Sequence, residues 1–126
     1  MPVISVLVAL GGGLGATLRF VLDGFITSRH GGIRRYSRGV PVATLTINVL
    51  GSFLLGLMVG SSGLLDAELV RVLGVGVLGG FTTFSTASVE LVRLVHDESS
   101  GQAAVLALVM IAFSILAALL GLALAP

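Results

Sequence analysis

Four stretches of this chain are long and apolar enough to cross a lipid bilayer, and a bilayer permits very few folds. A spanning helix needs roughly 20 mostly apolar residues. The stretches run from about 3 to 27, 40 to 60, 69 to 95 and 102 to 124. The hydrocarbon layer holds no water to satisfy exposed N–H and C=O groups, so segments of this length close their hydrogen bonds internally as helices. The expected fold is therefore an all-α membrane protein with four transmembrane helices in one domain, 1–126. Composition agrees: 56% of residues are hydrophobic and only 10% charged, where a soluble domain carries about 25%.

The remaining composition excludes several function classes. A net charge of +1 gives no basic surface for nucleic acid. With no cysteine there is no disulfide, thiolate metal site or cysteine nucleophile. The first apolar stretch is too long and glycine-rich for a secretory signal, and no basic segment precedes it. Every basic residue is arginine, and their placement is lopsided. With four spans, the first and third connectors share one side, which carries Arg29, Arg34, Arg35, Arg38 and Arg93, while the other side carries only Arg71. Positive charge stays cytoplasmic. The bias places both termini on the outer side of the membrane.

Small residues recur at four-residue spacing: Gly11 and Gly15, Gly12 and Ala16, Gly56 and Gly60, Gly76 and Gly80. In lipid, such pairs let helix backbones approach, and packing is the expected role of these glycines. Gly11–Ala16 also fits the pattern G-x-G-x-x-A. A dinucleotide site needs a strand before that pattern, and here both flanks are membrane helix.

The third stretch contains Gly79-Gly80-Phe81-Thr82-Thr83-Phe84-Ser85-Thr86-Ala87-Ser88, two glycines and five hydroxyls in ten positions. A plain anchor has no use for this. Irregular backbone at membrane depth is tolerated only inside protein or beside a wet cavity, and broken helices hold ions with freed carbonyls and half-helix ends. The third helix is expected to break near its middle, beside an ion pathway.

Other polar residues fall near it. Thr44, Asn48 and Ser52 stand on one face of the second span. For the two hydroxyl residues, interhelical hydrogen bonding is the simpler role. The Asn48 amide needs several partners, which an ion- or water-filled track supplies. Phe81 reads as packing. Phe84 lies among hydroxyls, and the positive edge of its ring can meet a small anion without trapping it. Glu90 either lines a vestibule or pairs with Arg93 three residues on. Arg19 and Asp23, one turn apart in the first span, read as a structural ion pair near the membrane edge. His30 and His96 read as surface residues. No nucleophile–base constellation is visible, which argues against an enzyme.

Three motifs together resemble one family. They are Gly11-Gly12-Gly13-Leu14-Gly15-Ala16-Thr17-Leu18-Arg19-Phe20, Thr44-Leu45-Thr46-Ile47-Asn48-Val49-Leu50-Gly51-Ser52-Phe53-Leu54-Leu55-Gly56, and Gly79-Gly80-Phe81-Thr82-Thr83-Phe84-Ser85-Thr86. In order and spacing they resemble the small bacterial fluoride channels, the Fluc or CrcB family. The resemblance covers essentially the whole chain. It implies an antiparallel dimer with two fluoride pores and passive fluoride export for fluoride resistance. It implies a central structural Na⁺ held by the backbone carbonyls of Gly79 and Thr82. It implies a fluoride pathway of Asn48, Phe84, Ser85, Thr86 and Ser114, with Glu90 as the vestibule acid; Thr44 joins it from the second-span stripe.

One position departs from the family pattern, which has a second phenylalanine three residues after the first. Here that position is Ala87. Either each pore runs with half its aromatic set, or a partner supplies the missing ring. An antiparallel homodimer needs nearly balanced loop charge, so the arginine bias favours dimerisation with an oppositely inserted homologue. Two other readings compete. A proton-coupled exporter of the small multidrug type needs a carboxylate deep in the first span, and Asp23, the sole candidate, has Arg19 one turn away. A non-transporting scaffold gains nothing from a hydroxyl-rich break.

Overall fold

In a computed structural model, which describes residues 2–29, 41–97 and 100–126, every regular element is helical. Pro2–Arg29 forms the first span and Val42–Gly60 the second. The third span, Ala67–His96, is assembled from pieces, and Ser100–Leu124 forms the fourth. Asp66 starts the third span by accepting hydrogen bonds from the N–H groups of Glu68 (2.8 Å) and Leu69 (3.3 Å), satisfying donors that a helix start leaves open.

Glycine decides how the spans meet. A Cβ on Gly15 would run into the Val77 carbonyl, and one on Gly80 into the Gly12 carbonyl. A Cβ on Gly76 would lie 2.8 Å from the Val8 oxygen, and one on Gly11 3.0 Å from the Val72 oxygen. The first span and the entering half of the third, 67–81, thus touch backbone to backbone. A second seam joins spans two and four, where Gly56 faces the Ala118 carbonyl and Gly121 the Phe53 carbonyl. These positions fulfil the packing role expected of the small-residue pairs. Gly121 belongs with them, four residues after Ala117 and four before Ala125.

The third span does not run as one ordinary helix. Residues Arg71–Leu78 are π-helical, with the Gly79 N–H reaching back to the Gly74 carbonyl. Periodicity carries no trace of this, because after Arg71 the residues are glycine or apolar on every side. The helix then stops after Phe81, Thr82 turns to extended geometry (φ −73°, ψ 154°), and helix resumes over Ser85–Asp97. The break changes the span's neighbours. The entering half lies on the first span, and the leaving half lies mainly on the fourth. There Ala87, Leu106 and Met110 form a small buried cluster, with Leu45, Leu91 and Leu94 packed on it.

Most large apolar side chains face outwards, as lipid solvation requires; Phe20, Val75 and Leu108 are examples. Buried positions on the second span recur along one face at Ala43, Thr44, Ile47 and Gly51. Arg29 stacks on the Phe25 ring at 4.3 Å from its centroid. The arginines at 34, 35 and 38, His30, Glu98 and Ser99 lie outside the described residues.

The expected Arg19–Asp23 ion pair does not form. Both residues are half-buried, and the Arg19 Nε is enclosed with no hydrogen-bond partner. The physical reason is their order, since a cation one turn before an anion on a helix is the weaker arrangement.

A Gly121→Ala substitution is expected to lower stability by about 1–3 kcal/mol, because the added carbon meets backbone that cannot move aside. Gly24→Ala, with nothing within 4 Å of the added carbon, is expected to be neutral or slightly stabilising. Thermal unfolding in detergent distinguishes the two.

Candidate functional site

Gly51 lets the second span close on the break: a Cβ there would strike the Thr82 side chain, with the Phe81 ring next at 3.3 Å. This approach brings Asn48, one turn earlier, level with Thr83. The Asn48 Nδ2 donates to the Thr83 carbonyl (2.9 Å), and the Thr83 N–H donates to Asn48 Oδ1 (2.8 Å). One side chain therefore satisfies both polar groups of one residue in the irregular segment.

A second diversion follows immediately. The Thr86 N–H donates to the Thr83 hydroxyl (3.2 Å), so Thr83 caps the first turn of the leaving half-helix. The same hydroxyl donates to Thr86 Oγ1 (3.1 Å) and stands 3.4 Å from Ser85 Oγ. In a continuous helix the Thr83 N–H would bond the Gly79 carbonyl, and the Thr86 N–H the Thr82 carbonyl. Both donors have been taken by side chains. The carbonyls released are the two that the resemblance singles out for a cation.

Thr82 itself donates its hydroxyl to the Leu78 carbonyl (3.1 Å) and its N–H to the same oxygen (3.0 Å), closing the entering half. Ser88 returns its hydroxyl to the Phe84 carbonyl (2.9 Å).

Beside the break runs an open groove of about 400 Å³. Asn48 and Ser52 line it from the second span, Thr82, Thr83, Phe84 and Ala87 from the third, and Met110 and Ser114 from the fourth. Sequence positions 48, 84 and 114, scattered along the chain, share this one wall. Ser85 is exposed and Thr86 half-buried beside it, both tied to the groove through Thr83. Phe84 is 87% exposed at the rim, an unusual position for a phenyl ring flanked by hydroxyls. Gly79 is exposed as well.

Thr44 and Glu90 lie off this groove and meet each other. Thr44, 1% exposed, donates its hydroxyl to Glu90 Oε1 at 2.9 Å. Glu90 is buried while Arg93 is exposed.

Thr83 is the residue that sequence reasoning passed over. The signal was present, since a threonine just after a helix break with a helix resuming two residues later is a capping position.

An Asn48→Leu variant, similar in size but without polar atoms, strands the Thr83 N–H and carbonyl together. It is expected to lose about 2 kcal/mol or more of stability in detergent unfolding.

Residues 6–122 match the family described as CrcB-like protein, Camphor Resistance (CrcB). Among similar proteins, the fluoride-specific ion channel FluC 2 of Cutibacterium acnes is 46% identical over 121 residues, covering 93% of each chain. The fluoride-specific ion channel FluC of Thermus thermophilus is 43% identical over 117 residues, covering 91% of this chain and 87% of that one. The FluC channel of Syntrophotalea carbinolica is 39% identical over 123 residues and 95% of each chain.

Proposed function

The chain belongs to the CrcB family, and from that premise we propose that it is a subunit of a fluoride-selective channel that lets fluoride leave the cell passively. It is a transport protein, not an enzyme. The observation that carries the reading is the convergence of Asn48, Phe84 and Ser114 on one groove beside the clamped break.

Fluoride is small and strongly hydrated, so a selective path must replace its water with closely spaced donors. Asn48 has two N–H donors and spends one on the Thr83 carbonyl, which leaves the other for a ligand. The hydroxyls of Ser85, Thr86 and Ser114 add donors along the route. Phe84 contributes the positive edge of its ring. The leaving half-helix begins here, and a helix start favours negative charge. Thr44 and Glu90 form the polar far end of the path.

A cation suits the carbonyls that the break frees. The Gly79 and Thr82 carbonyls, relieved of their helical donors, have the hard-oxygen chemistry for Na⁺. Bound there, Na⁺ supplies positive charge that offsets the carbonyl dipoles of the entering half-helix.

Phe84 and Gly79 are exposed in the single subunit, which fits their being covered by a second one in an antiparallel dimer with two pores. Ala87, which lines the groove where the family pattern has a ring, leaves room for one from elsewhere. Together with the five-to-one arginine bias, this favours an oppositely inserted homologue as the partner. The same bias supports a plasma-membrane protein with both termini outside.

Fluoride efflux from KF-loaded liposomes, triggered with valinomycin and read with a fluoride electrode, tests the proposal. Efflux of fluoride without chloride is expected, and Phe84→Ile or Asn48→Ser is expected to slow it about tenfold or more, the effect of losing one well-placed ion contact. Efflux only after adding the homologue identifies the paired channel; full efflux from this chain alone overturns the pairing. Silence in both arms overturns the channel reading.

A further inference from the structure

The geometry points to Thr83 as a positioning residue that holds the cation site and the anion track in one register, without touching either ion. This inference deepens the channel reading and rests on it. Every polar group of Thr83 is engaged, and the residue is 9% exposed. Its N–H and carbonyl are both held by Asn48. Its hydroxyl accepts the Thr86 N–H, donates to Thr86 Oγ1 and neighbours Ser85 Oγ. A hydroxyl has a single proton to give and two lone pairs to receive with. These contacts therefore set both the direction of the Thr86 hydroxyl and the availability of the Thr82 carbonyl.

The link is competitive. The Thr86 N–H has two candidate acceptors, the Thr83 hydroxyl and, in a regular helix, the Thr82 carbonyl. While the hydroxyl takes it, the carbonyl stays available to a cation. Without the hydroxyl, the N–H turns to the Thr82 carbonyl, the leaving half-helix gains a turn at its start, and one cation ligand is lost. In the same step Ser85 and Thr86 lose the group that orients them.

The test compares wild type with Thr83→Ser, which keeps the hydroxyl, and Thr83→Val, which keeps the shape without it. Thermal unfolding of the purified conducting assembly is followed against Na⁺ concentration, with N-methyl-D-glucamine holding ionic strength constant, and fluoride efflux is measured alongside. Wild type and Thr83→Ser are expected to be stabilised by Na⁺ with similar half-saturation. Thr83→Val is expected to need about tenfold more Na⁺, the effect of one lost oxygen ligand, and to conduct more slowly. Should valine prevent folding, Thr83→Cys serves in its place, because a thiol fills the space but accepts a hydrogen bond poorly. An unchanged Na⁺ half-saturation in the folded hydroxyl-free variant overturns the role of Thr83 and leaves the channel reading standing. No Na⁺ response in wild type that still conducts overturns the cation site and this inference with it. No conduction by wild type overturns the channel reading itself.

Discussion

A peptide group in the middle of a bilayer must find a partner within the protein, and at Thr83 that partner is the side chain of Asn48. The pairing is reciprocal, so one amide stands in for two rungs of a helical ladder. It explains why the third span can stop and restart at membrane depth without stranding polar groups. It also explains why the second span must come so close, and why position 51 is glycine. Had the third span continued as a regular helix, the Gly79 and Thr82 carbonyls would be occupied and Phe84 would occupy a different face.

The break has an architectural effect beyond its polar groups. It moves the third span from the first helix to the fourth, so a single span takes part in two packing seams. The groove opens where that transfer happens, bounded by the second span on one side and the fourth on the other. The negative end of one half-helix and the positive end of the next stand only a few residues apart.

The spans were legible in the sequence because hydropathy over some twenty residues is a strong, local signal. The glycine seams were legible in part, since Gly11, Gly15, Gly76 and Gly80 announce themselves by spacing. That the third span breaks was legible from the run of glycines and hydroxyls, which pointed to Gly80; the helix in fact carries on through Phe81 and opens at Thr82. Less visible was what Asn48 does. Its amide suggested solvation of an ion, whereas half of its capacity holds backbone, a long-range contact that composition cannot encode. The π-helical turn over Arg71–Leu78 left no pattern, because after Arg71 its residues are small or apolar on every side. The Arg19–Asp23 pair was inferred from spacing alone, and spacing brings residues to the same face without making them touch.

The two seams differ from an ordinary apolar interface in what lies opposite each glycine. Across a core, a bulkier side chain can be accommodated when evolution trims the one it meets. Opposite Gly15, Gly56, Gly80 and Gly121 lies a carbonyl oxygen, and every amino acid has one. No second-site change can therefore make room, and the helix itself would have to shift. A bulkier residue at any of these four positions would set how far apart two spans stand, and with that the width of the groove between them.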